Sequence, residues 1–308
     1  MGRVVVVGSA NTDMILQSDR LPQAGETVLG GRFSTAAGGK GANQAVAAAR
    51  LGAEVAFVAR LGQDWLGDQA LANYRAEHID CAFITRDAAL PSGVALIMVD
   101  AAGENLIGVA PGANGALRPE HVELAEAVFA GASALLVQLE IPLDTVAAAL
   151  RLARRHGVRA ILNPAPAAAL PDDLIADVWL TPNETELSRL TGGAVASAAE
   201  AEAGARQLLA RGARGVVVTL GKAGALSLDA QARWHAPGFT VQAVDTTAAG
   251  DAFNGGLACA LARGEALPGA MRYANAVAAL SVTKLGAQPS LPTAAATAQF
   301  LASQGGPT

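Results

Sequence analysis

Residues 3–8 read Arg3-Val4-Val5-Val6-Val7-Gly8, four consecutive valines between a charged residue and a glycine. A short continuous run of β-branched residues is typical of a strand buried on both faces, as strands are in parallel sheets. Similar runs bounded by turn residues recur at residues 55–62, 134–139, 159–163, 178–181 and 215–220. These runs are predicted to be the strands of one buried sheet.

Alanine-rich stretches separate these runs, at residues 41–51, 66–78, 119–129, 143–156, 198–211, 251–263 and 268–283. Alternating strands and helices predict an α/β protein with a mostly parallel central sheet and helices on both faces. Because 52% of the chain is hydrophobic but only 4% aromatic, alanine and valine must fill much of the core, which favours closely spaced helices.

Two stretches interrupt the alternation, residues 12–37 and 93–109, where apolar and polar residues alternate as in antiparallel ribbons. We expect them to pair as a small β-sheet lid over the carboxyl edge of the main sheet, where open α/β folds bind ligands. The predicted core is then residues 1–12, 38–92 and 110–308, and the predicted lid is residues 13–37 and 93–109.

Composition disfavours several classes of partner. The chain has 308 residues, a formal net charge of −5 and no basic run, so nucleic acids and anionic membranes are poor candidate partners. Cys81 and Cys259 lie in apolar surroundings, as free thiols do in a reducing compartment. No stretch approaches the ~18 apolar residues of a membrane span. The sequence therefore predicts a cytosolic protein.

The segment Val244-Asp245-Thr246-Thr247-Ala248-Ala249-Gly250-Asp251 is a turn of small residues that leads into a helix. A helix start offers unpaired backbone N–H groups and a positive dipole end, which suit a phosphoryl group. Asp251 could take a proton from an attacking hydroxyl while the backbone amides beside it hold the phosphoryl group. Alternatively, Asp251 is only a favourable first-turn acid.

A second glycine-rich segment is Gly38-Gly39-Lys40-Gly41-Ala42-Asn43-Gln44. It is not a Walker sequence, because Gly41 stands where Ser or Thr is required. Helix packing could explain the glycines, but it requires neither Lys40 nor Asn43, which favours a polar ligand at this helix start. Asn11 and Asp13 follow the first strand, where they could bind sugar hydroxyls or, equally well, form a turn.

Further polar residues follow the predicted strands: Glu140, Asn163 and Asn183. Asn183 and Glu186 have the spacing of a capping box, and Glu186 could equally hold the water shell of a magnesium ion on nucleotide phosphates. The turn at residues 219–224 is either an ordinary hairpin or a phosphate contact.

Ordered motifs over nearly the whole chain carry a family resemblance: residues 11–13, 25–27, 38–43, 111–114, 140, 163–166, 181–186, 219–224, 245–254 and 286–290. In these the chain resembles the ribokinase-like family of ATP-dependent carbohydrate kinases. The resemblance implies an α/β core, a β lid that serves as the interface of a homodimer, and transfer of the γ-phosphate of ATP to O5 of D-ribose.

The resemblance also assigns roles. It implies that Asp251 is the base and that Ala249, Gly250 and the Asp251 amide form an anion hole. The implied ribose ligands are Asn11, Asp13, Gly39, Lys40, Asn43, Glu140 and Asp251. The implied nucleotide contacts are Asn183, Thr219, Gly221, Gly224, Gly250 and Asn275, with Glu186 acting through magnesium. The implied potassium site is Asp245, Thr247, Ser281, Lys284, Gly286 and Ser290.

Two kinds of alternative function stay open from the sequence. The acceptor could be another sugar or a nucleoside, such as 2-deoxyribose or adenosine, or the protein could be a sugar-binding regulator without turnover. Intact Asp251 and Glu186 argue against the regulator, since a pure binder needs neither. One departure is Ala248, where many family members have glycine.

Overall fold

The structure, a computed structural model, describes residues 2–305. Its strands are β1 (Arg3–Val7), β2 (Asn11–Gln17), β3 (Arg32–Gly38), β4 (Glu54–Gly62), β5 (Ile84–Asp87), β6 (Gly93–Val99), β7 (Asn105–Ala110), β8 (Ala132–Val137), β9 (Arg159–Leu162), β10 (Trp179–Leu180), β11 (Gly215–Thr219), β12 (Ala225–Asp229) and β13 (Arg233–Ala236). Its α-helices are α1 (Lys40–Arg50), α2 (Trp65–Ala76), α3 (Pro119–Leu124), α4 (Glu126–Phe129), α5 (Leu143–Arg155), α6 (Asp172–Ile175), α7 (Glu184–Thr191), α8 (Ala198–Ala210), α9 (Ala249–Ala262), α10 (Leu267–Ser281) and α11 (Ala294–Ser303).

The main sheet has nine strands in the order β13-β12-β11-β10-β9-β8-β1-β4-β5. All its pairs are parallel except β11–β12 and β12–β13. The chain runs from β1 outward to β4 and β5, and later returns to β8 on the other side of β1. Strand order thus reverses between β1 and β8, and the crevice at such a switch point is where doubly wound sheets bind ligands.

The four valines of β1 show why the sheet is covered on both faces. Val5 and Val7 belong to one buried cluster with residues of α5 and α8, whereas Val4 and Val6 belong to another with residues of α1 and α9. Helices α1 and α9 pack closely, since a Cβ on Gly255 would lie 2.5 Å from the Cβ of Ala47. The predicted α/β fold and its closely packed small residues are confirmed.

The two interrupting stretches form a separate four-stranded sheet in the order β3-β2-β6-β7. Each stretch is an antiparallel ribbon, as predicted, but the two ribbons meet through a parallel pairing of β2 with β6. In that register Asn11 and Asp13 lie on one face of the sheet, while Met14 and Leu16 lie on the other.

Some predicted boundaries were wrong. Residues 119–129 form two short helices, α3 and α4, which separate at Ala125. The strand predicted at 178–181 contains only Trp179–Leu180. Strands β5 and β13 and helix α11 were missed, because their short or alanine-rich sequences carry little periodic signal. Residue 1 and residues 306–308 of the predicted core lie outside the described residues.

Candidate active site

A cavity of about 220 Å³ opens at the carboxyl edge of the main sheet. It is lined by Lys40, Asn163, Ala165, Thr181, Asn183, Glu186, Thr219, Thr246, Ala248, Ala249, Gly250, Asp251 and Asn254. These residues come from the ends of β9, β10 and β11 and from the starts of α1, α7 and α9. Widely separated predicted residues are thus brought together.

Helix α9 begins with unpaired amides that face this cavity. Ala248 precedes the helix with φ +59°, and its carbonyl accepts the first helical bond from Ala252 N–H at 2.8 Å. The Ala249 N–H donates to the Thr246 carbonyl at 3.2 Å. Within residues 2–305 neither Gly250 N–H nor Asp251 N–H has an acceptor. Two of the three predicted anion-hole amides are therefore free, and the Ala249 amide is engaged in a turn.

The glycines of the site are not equivalent. A Cβ on Gly250 would meet no protein atom within 4 Å, and its φ is not in the left-handed region, so the fold itself does not require glycine there. By contrast, Gly224 has φ +95° and a Cβ on it would lie 2.1 Å from the Ala236 carbonyl oxygen. Gly224 is required by the fold, whereas Gly250 leaves room for a group that approaches the backbone.

The carboxylate of Asp251 is buried and held by two amide side chains. Asn43 Nδ2 donates to Oδ2 at 2.9 Å, and Gln44 Nε2 donates to Oδ1 at 3.0 Å. Gln44 Nε2 also contacts Asn163 Oδ1 at 3.2 Å, while Gln44 Oε1 accepts from Gln138 Nε2 at 2.6 Å. These bonds fix the orientation of the carboxylate relative to the helix start.

A second chain of hydrogen bonds joins the strand ends to α9. Asn163 Nδ2 donates to the Thr181 carbonyl at 3.1 Å, and Thr181 Oγ1 donates to Asn254 Oδ1 at 2.6 Å. Asn254 Nδ2 in turn donates to the Gly250 carbonyl at 2.8 Å. The peptide after Gly250, which carries the free Asp251 N–H, is thereby tied to β9 and β10.

Charged groups in the cavity perturb one another. Burial raises the pKa of Asp251, and Lys40 with the bonds from Asn43 and Gln44 offsets part of that rise. Burial likewise raises the pKa of Glu186. Burial alone would lower the pKa of Lys40, but the carboxylates of Asp251, Glu140 and Glu186 together raise it. A raised pKa brings Asp251 nearer the range in which a carboxylate is an effective general base.

Asp13 belongs to the small sheet but faces the core site. Its pKa is raised to about 6 by burial and then by the nearby charges of Glu140 and Asp251. No group of residues 2–305 donates a hydrogen bond to its carboxylate, and both of its oxygens would lie 2.4 Å from a Cβ on Gly38. A half-buried, unpartnered carboxylate of this kind can accept hydrogen bonds from a ligand's hydroxyl groups.

The start of α1 carries Gly39, Lys40 and Asn43, but its amides are already engaged. Glu140 Oε2 accepts from Lys40 N–H at 3.0 Å and from the Ser9 hydroxyl. The predicted sugar ligand Glu140 thus also holds this helix start in place, and its other oxygen accepts no hydrogen bond within residues 2–305.

Asn11 is held by a residue to which the sequence assigned no role. Asn114 Nδ2 donates to Asn11 Oδ1 at 2.7 Å and to the Ala10 carbonyl at 3.1 Å, while Asn114 Oδ1 accepts from Ala10 N–H at 2.9 Å. Asn114 is buried where β7 returns to the core. It fixes Asn11 at the junction of the two sheets.

The predicted nucleotide residues divide into two groups. Asn183 and Thr219 lie side by side at the ends of β10 and β11, on the cavity wall. Gly221 and Gly224 follow Thr219 in a hairpin turn between β11 and β12. Asn275 is outside the cavity lining, and its Nδ2 donates to the Ala236 and Pro237 carbonyls.

Both interpretations of Glu186 fit the geometry. Asn183 and Glu186 form a full capping box at α7, in which Asn183 N–H donates to Glu186 Oε2 at 2.9 Å and Asn183 Nδ2 to Oε1 at 3.0 Å. Each carboxylate oxygen keeps a lone pair for a magnesium-bound water. Among residues 2–305 no three His, Cys, Asp or Glu side chains cluster as metal ligands, so magnesium here would depend on few carboxylates plus phosphates and water.

The predicted potassium residues lie in two adjoining loops. Asp245 Oδ1 accepts from Thr247 N–H, and Asp245 Oδ2 accepts from Gly286 N–H at 2.8 Å, which joins the loops. Burial raises the pKa of Asp245, but these bonds outweigh it and the pKa lies below its usual value. The remaining members close local turns: Lys284 N–H donates to the Ser281 carbonyl, and Ser290 N–H donates to the Ala287 carbonyl. Such oxygen-rich loops fit a hard cation.

Sequence reasoning gave no role to five buried residues that hold the site together, namely Gln44, Gln138, Thr181, Asn254 and Asn114. A signal existed for some of them, because Gln44 and Asn254 stand beside Asn43 and Asp251 in the motifs. Gln138 is a polar residue near the end of a predicted strand, as are Glu140 and Asn163.

Three comparisons agree with this geometry. The profile of the pfkB family of carbohydrate kinases matches residues 1–294. A ribokinase of Haemophilus influenzae is 43% identical, covering 97% of this chain and 98% of that protein, and a deoxyribokinase of Salmonella typhi is 38% identical, covering 94% and 95%. The structure of Arabidopsis thaliana ribokinase complexed with ribose and ATP superimposes with a TM-score of 0.91 at 32% identity, covering 97% and 98% of the two chains.

In residues 2–305 no helix is both long and apolar enough to span a membrane. A doubly wound sheet, a cavity at its carboxyl edge, and free helix-start amides beside a buried carboxylate are features that suit phosphoryl transfer to a hydroxyl group. Together with the family match over most of the chain, they lead to one conclusion: the chain belongs to the pfkB family of carbohydrate kinases.

Proposed function

We propose that this carbohydrate kinase is a ribokinase, which transfers the γ-phosphate of ATP to O5 of D-ribose and releases ribose 5-phosphate. The observation that carries the proposal is the position of Asp251 directly beside the free amides of Gly250 and Asp251. A base and an anion hole at one helix start can act on the same reacting oxygen and phosphorus.

In the proposed mechanism the Asp251 carboxylate takes the proton of the sugar hydroxyl during in-line attack on phosphorus. The Gly250 and Asp251 amides stabilise the negative charge of the phosphoryl oxygens, and the side chain of Lys40, whose charge the neighbouring carboxylates favour, adds a cation to the site. The Ala249 amide would join the anion hole only if it left the Thr246 carbonyl.

The sugar would bind between the two sheets. Asp13 and Asn11 offer acceptors from the small sheet, and Asn43 and Glu140 offer polar groups from the core, with Gly39 allowing close approach. Asn43 Oδ1 is buried and has no partner among the described residues, which supports a donor hydroxyl on the ligand.

Nucleotide and ions complete the proposed assembly. Asn183, Thr219, Gly221 and Gly224 would contact ATP, and Asn275 would shape the nucleotide pocket through the backbone it holds. Magnesium, held through water by Glu186, would supply positive charge to the phosphates when bound. Potassium in the loops of Asp245, Thr247, Ser281, Lys284, Gly286 and Ser290 would set the backbone geometry beside the anion hole.

We further propose that residues 13–37 and 93–109 act as a lid and join two copies into a homodimer. On the face away from Asp13, one apolar row crosses the four strands in register: Phe33, Leu16, Met98 and Leu106. The side chains of Phe33 and Leu106 are more than half exposed. A continuous apolar row of this kind supports burial against a second copy. Sedimentation velocity tests it: dimers are expected, and Phe33→Asp with Leu106→Asp should give monomers.

The proposed setting is the cytoplasm, where unpaired Cys81 and Cys259 are compatible with reducing conditions. The proposed partners are the sugar and ATP alone, with no nucleic acid and no membrane, because a net charge of −5 without a basic run disfavours nucleic acids and anionic membrane surfaces.

A phosphorylation assay tests the function. ADP release is measured with ribose, 2-deoxyribose, adenosine and fructose 6-phosphate, each in potassium and in sodium, and the product is identified by ³¹P NMR. Ribose should give the highest kcat/KM, and potassium should raise it. 2-Deoxyribose is the specific rival, since a deoxyribokinase is among the similar proteins. If no acceptor supports turnover, the sugar-binding regulator becomes the better account.

A further inference from the structure

Gln44 is fully buried, and its side chain makes three hydrogen bonds beside the cavity. It follows Asn43 on the first turns of α1, on the side that packs against α9. In the mechanism above Gln44 touches neither sugar nor nucleotide. Its bonds instead converge on the carboxylate of Asp251.

The amide of Gln44 can have only one orientation. The ionised Asp251 carboxylate can only accept, so Gln44 Nε2 must face Asp251 Oδ1 at 3.0 Å and Asn163 Oδ1 at 3.2 Å, and Gln44 Oε1 then points toward Gln138 Nε2 at 2.6 Å. A flipped amide would place Oε1 against two other oxygen atoms and would set two N–H donors against each other. Both partners lie on strand ends or helix starts, so the donor is held rigidly.

The orientation of the Asp251 carboxylate also depends on this donor. Asn43 Nδ2 binds Oδ2 and Gln44 Nε2 binds Oδ1, one donor for each oxygen. Because Asn43 is also a proposed sugar ligand, its bond to Asp251 can change when substrate binds. Gln44 has no such second duty, and it remains the fixed reference for the base.

We propose that Gln44 is a positioning residue: through one donated hydrogen bond it fixes the rotation of the Asp251 carboxylate so that a lone pair of Oδ2 faces the sugar hydroxyl. The inference rests on the proposed function, since it assigns Asp251 the role of base. Gln138 and Asn163 hold Gln44 in turn, which makes the base part of a buried amide chain that spans β8, β9 and α1.

The substitution Gln44→Met tests the proposal, since it keeps the length of the side chain and removes the donor. We expect kcat with ribose to fall about 10-fold to 100-fold, with little change in the KM for ATP. Gln138→Met is the matched control: it makes the same chemical change at a second buried glutamine that does not touch Asp251. Its loss of kcat should be clearly smaller.

A readout independent of turnover separates this inference from the proposed function. In protein labelled with ¹³C at the aspartate carboxyl carbons, the Asp251 signal is assigned by its loss in Asp251→Asn, and its titration is followed in each variant. A hydrogen bond to the ionised carboxylate lowers its pKa, so losing the Gln44 donor should move the titration of Asp251 to higher pH. Lys40, Glu140, Asp13 and Glu186 also face this region and stay unchanged in both variants.

If Gln44→Met does not fold, Gln44→Leu removes the same donor in a smaller side chain without adding a charge, and the same upward shift is expected. An Asp251 titration that is unchanged in the Gln44 variant, or shifted equally in Gln138→Met, would overturn the positioning role. Absence of ribose turnover in the wild type would instead contradict the proposed function, and the NMR titration would still decide the hydrogen-bond claim.

Discussion

Helices α1 and α9 pack against each other and both begin at the cavity, yet the amides at their N-termini are in opposite states. Each follows a residue with positive φ, Gly39 at +87° and Ala248 at +59°, and neither has a side-chain cap from that residue. At α1, the first amides donate to the Glu140 carboxylate and to Ser9. At α9, two first-turn amides have no acceptor among the described residues.

The state of these amides determines where an anion can bind. A helix dipole and orphan amides alone would make both starts equally attractive for phosphate. Because Glu140 already neutralises the start of α1, a phosphoryl group would meet a carboxylate there and unpaired donors only at α9. Of these two helix starts, only that of α9 therefore keeps free amides for an anion among the described residues, and it lies beside the buried carboxylate of Asp251.

The largest expected effect comes from Asp251→Asn, which removes the base but keeps a side chain of the same size at the open helix start. Turnover should fall about 10²-fold to 10⁴-fold, the usual scale of a lost general base. The ADP-release assay measures this loss, and calorimetry should show that ribose and ATP still bind. Near-normal turnover would remove Asp251 from the role of base.

Gly250→Ala fills the space beside the free amides at the start of α9. Its Cβ would enter open space in the cavity, so kcat should fall about 10-fold to 100-fold, while the fold keeps its stability or gains up to about 1 kcal/mol from the better helix former. Thermal unfolding and ADP release together give both quantities.

The matched variant for Gly250→Ala is Gly41→Ala at the closed start of α1. A Cβ there would lie 2.6 Å from Ser9 N, so this protein should lose stability by roughly 1–3 kcal/mol. Equal destabilisation of the two variants would mean that the space beside Gly250 serves the fold rather than a ligand.

Asp13→Asn removes a negative charge that lies near Glu140, the residue bonded to the start of α1. Below pH 3.8, the ordinary pKa of aspartate, Asp13 is protonated in both the folded and the unfolded protein, so its ionisation costs the fold no stability. Stability is then lost as the pH rises through the folded-state pKa of about 6, because the unfolded protein ionises Asp13 more readily. Without ligand, Asp13→Asn should therefore be more stable than wild type by roughly 1–3 kcal/mol at pH 7.5 and show no gain near pH 4.

Urea unfolding at the two pH values measures the Asp13 effect, and Asp19→Asn, at an exposed position just beyond β2, controls for the lost charge itself. A gain that is equal at pH 4 and pH 7.5 would contradict the account of Asp13, because a pH-independent gain cannot come from an ionisation.

The smallest effect is expected for Ala248→Gly. Ala248 holds a left-handed conformation that costs a non-glycine residue about 1 kcal/mol, and glycine would relieve it at the cost of a more flexible unfolded chain. The stability should change by less than about 1 kcal/mol, and kcat should be unchanged, because the amides of Gly250 and Asp251 keep their places. A tenfold loss of kcat would show that the alanine itself is needed to orient the helix start.

The fold was predictable because its signals are local and repeated. Consecutive valines such as Val4 to Val7, separated from the next run by alanine-rich helices, leave few arrangements other than a parallel sheet covered on both faces. The small sheet was predictable as two ribbons, but the parallel β2–β6 pairing was not, since pairing between distant segments has no signature in either one.

The site was predictable only in part. Motifs identified Asp251, Gly250 and Lys40, because unusual residues at helix starts stand out in the sequence. The bonds of Gln44 to Asp251 and of Asn114 to Asn11 join residues 207 and 103 positions apart, and buried amides look ordinary until the strands bring them together. The closing of α1 by Glu140 was hidden for the same reason.

A crystal structure with ADP, magnesium, ribose and a planar aluminium or magnesium fluoride in place of the transferring phosphoryl group would show where phosphoryl transfer takes place. We expect the fluoride group within hydrogen-bond distance of Gly250 N and Asp251 N, with the ribose O5 against the Asp251 carboxylate and Glu140 still bonded to Lys40 N. A fluoride group bound at the start of α1, with Glu140 displaced, would contradict it.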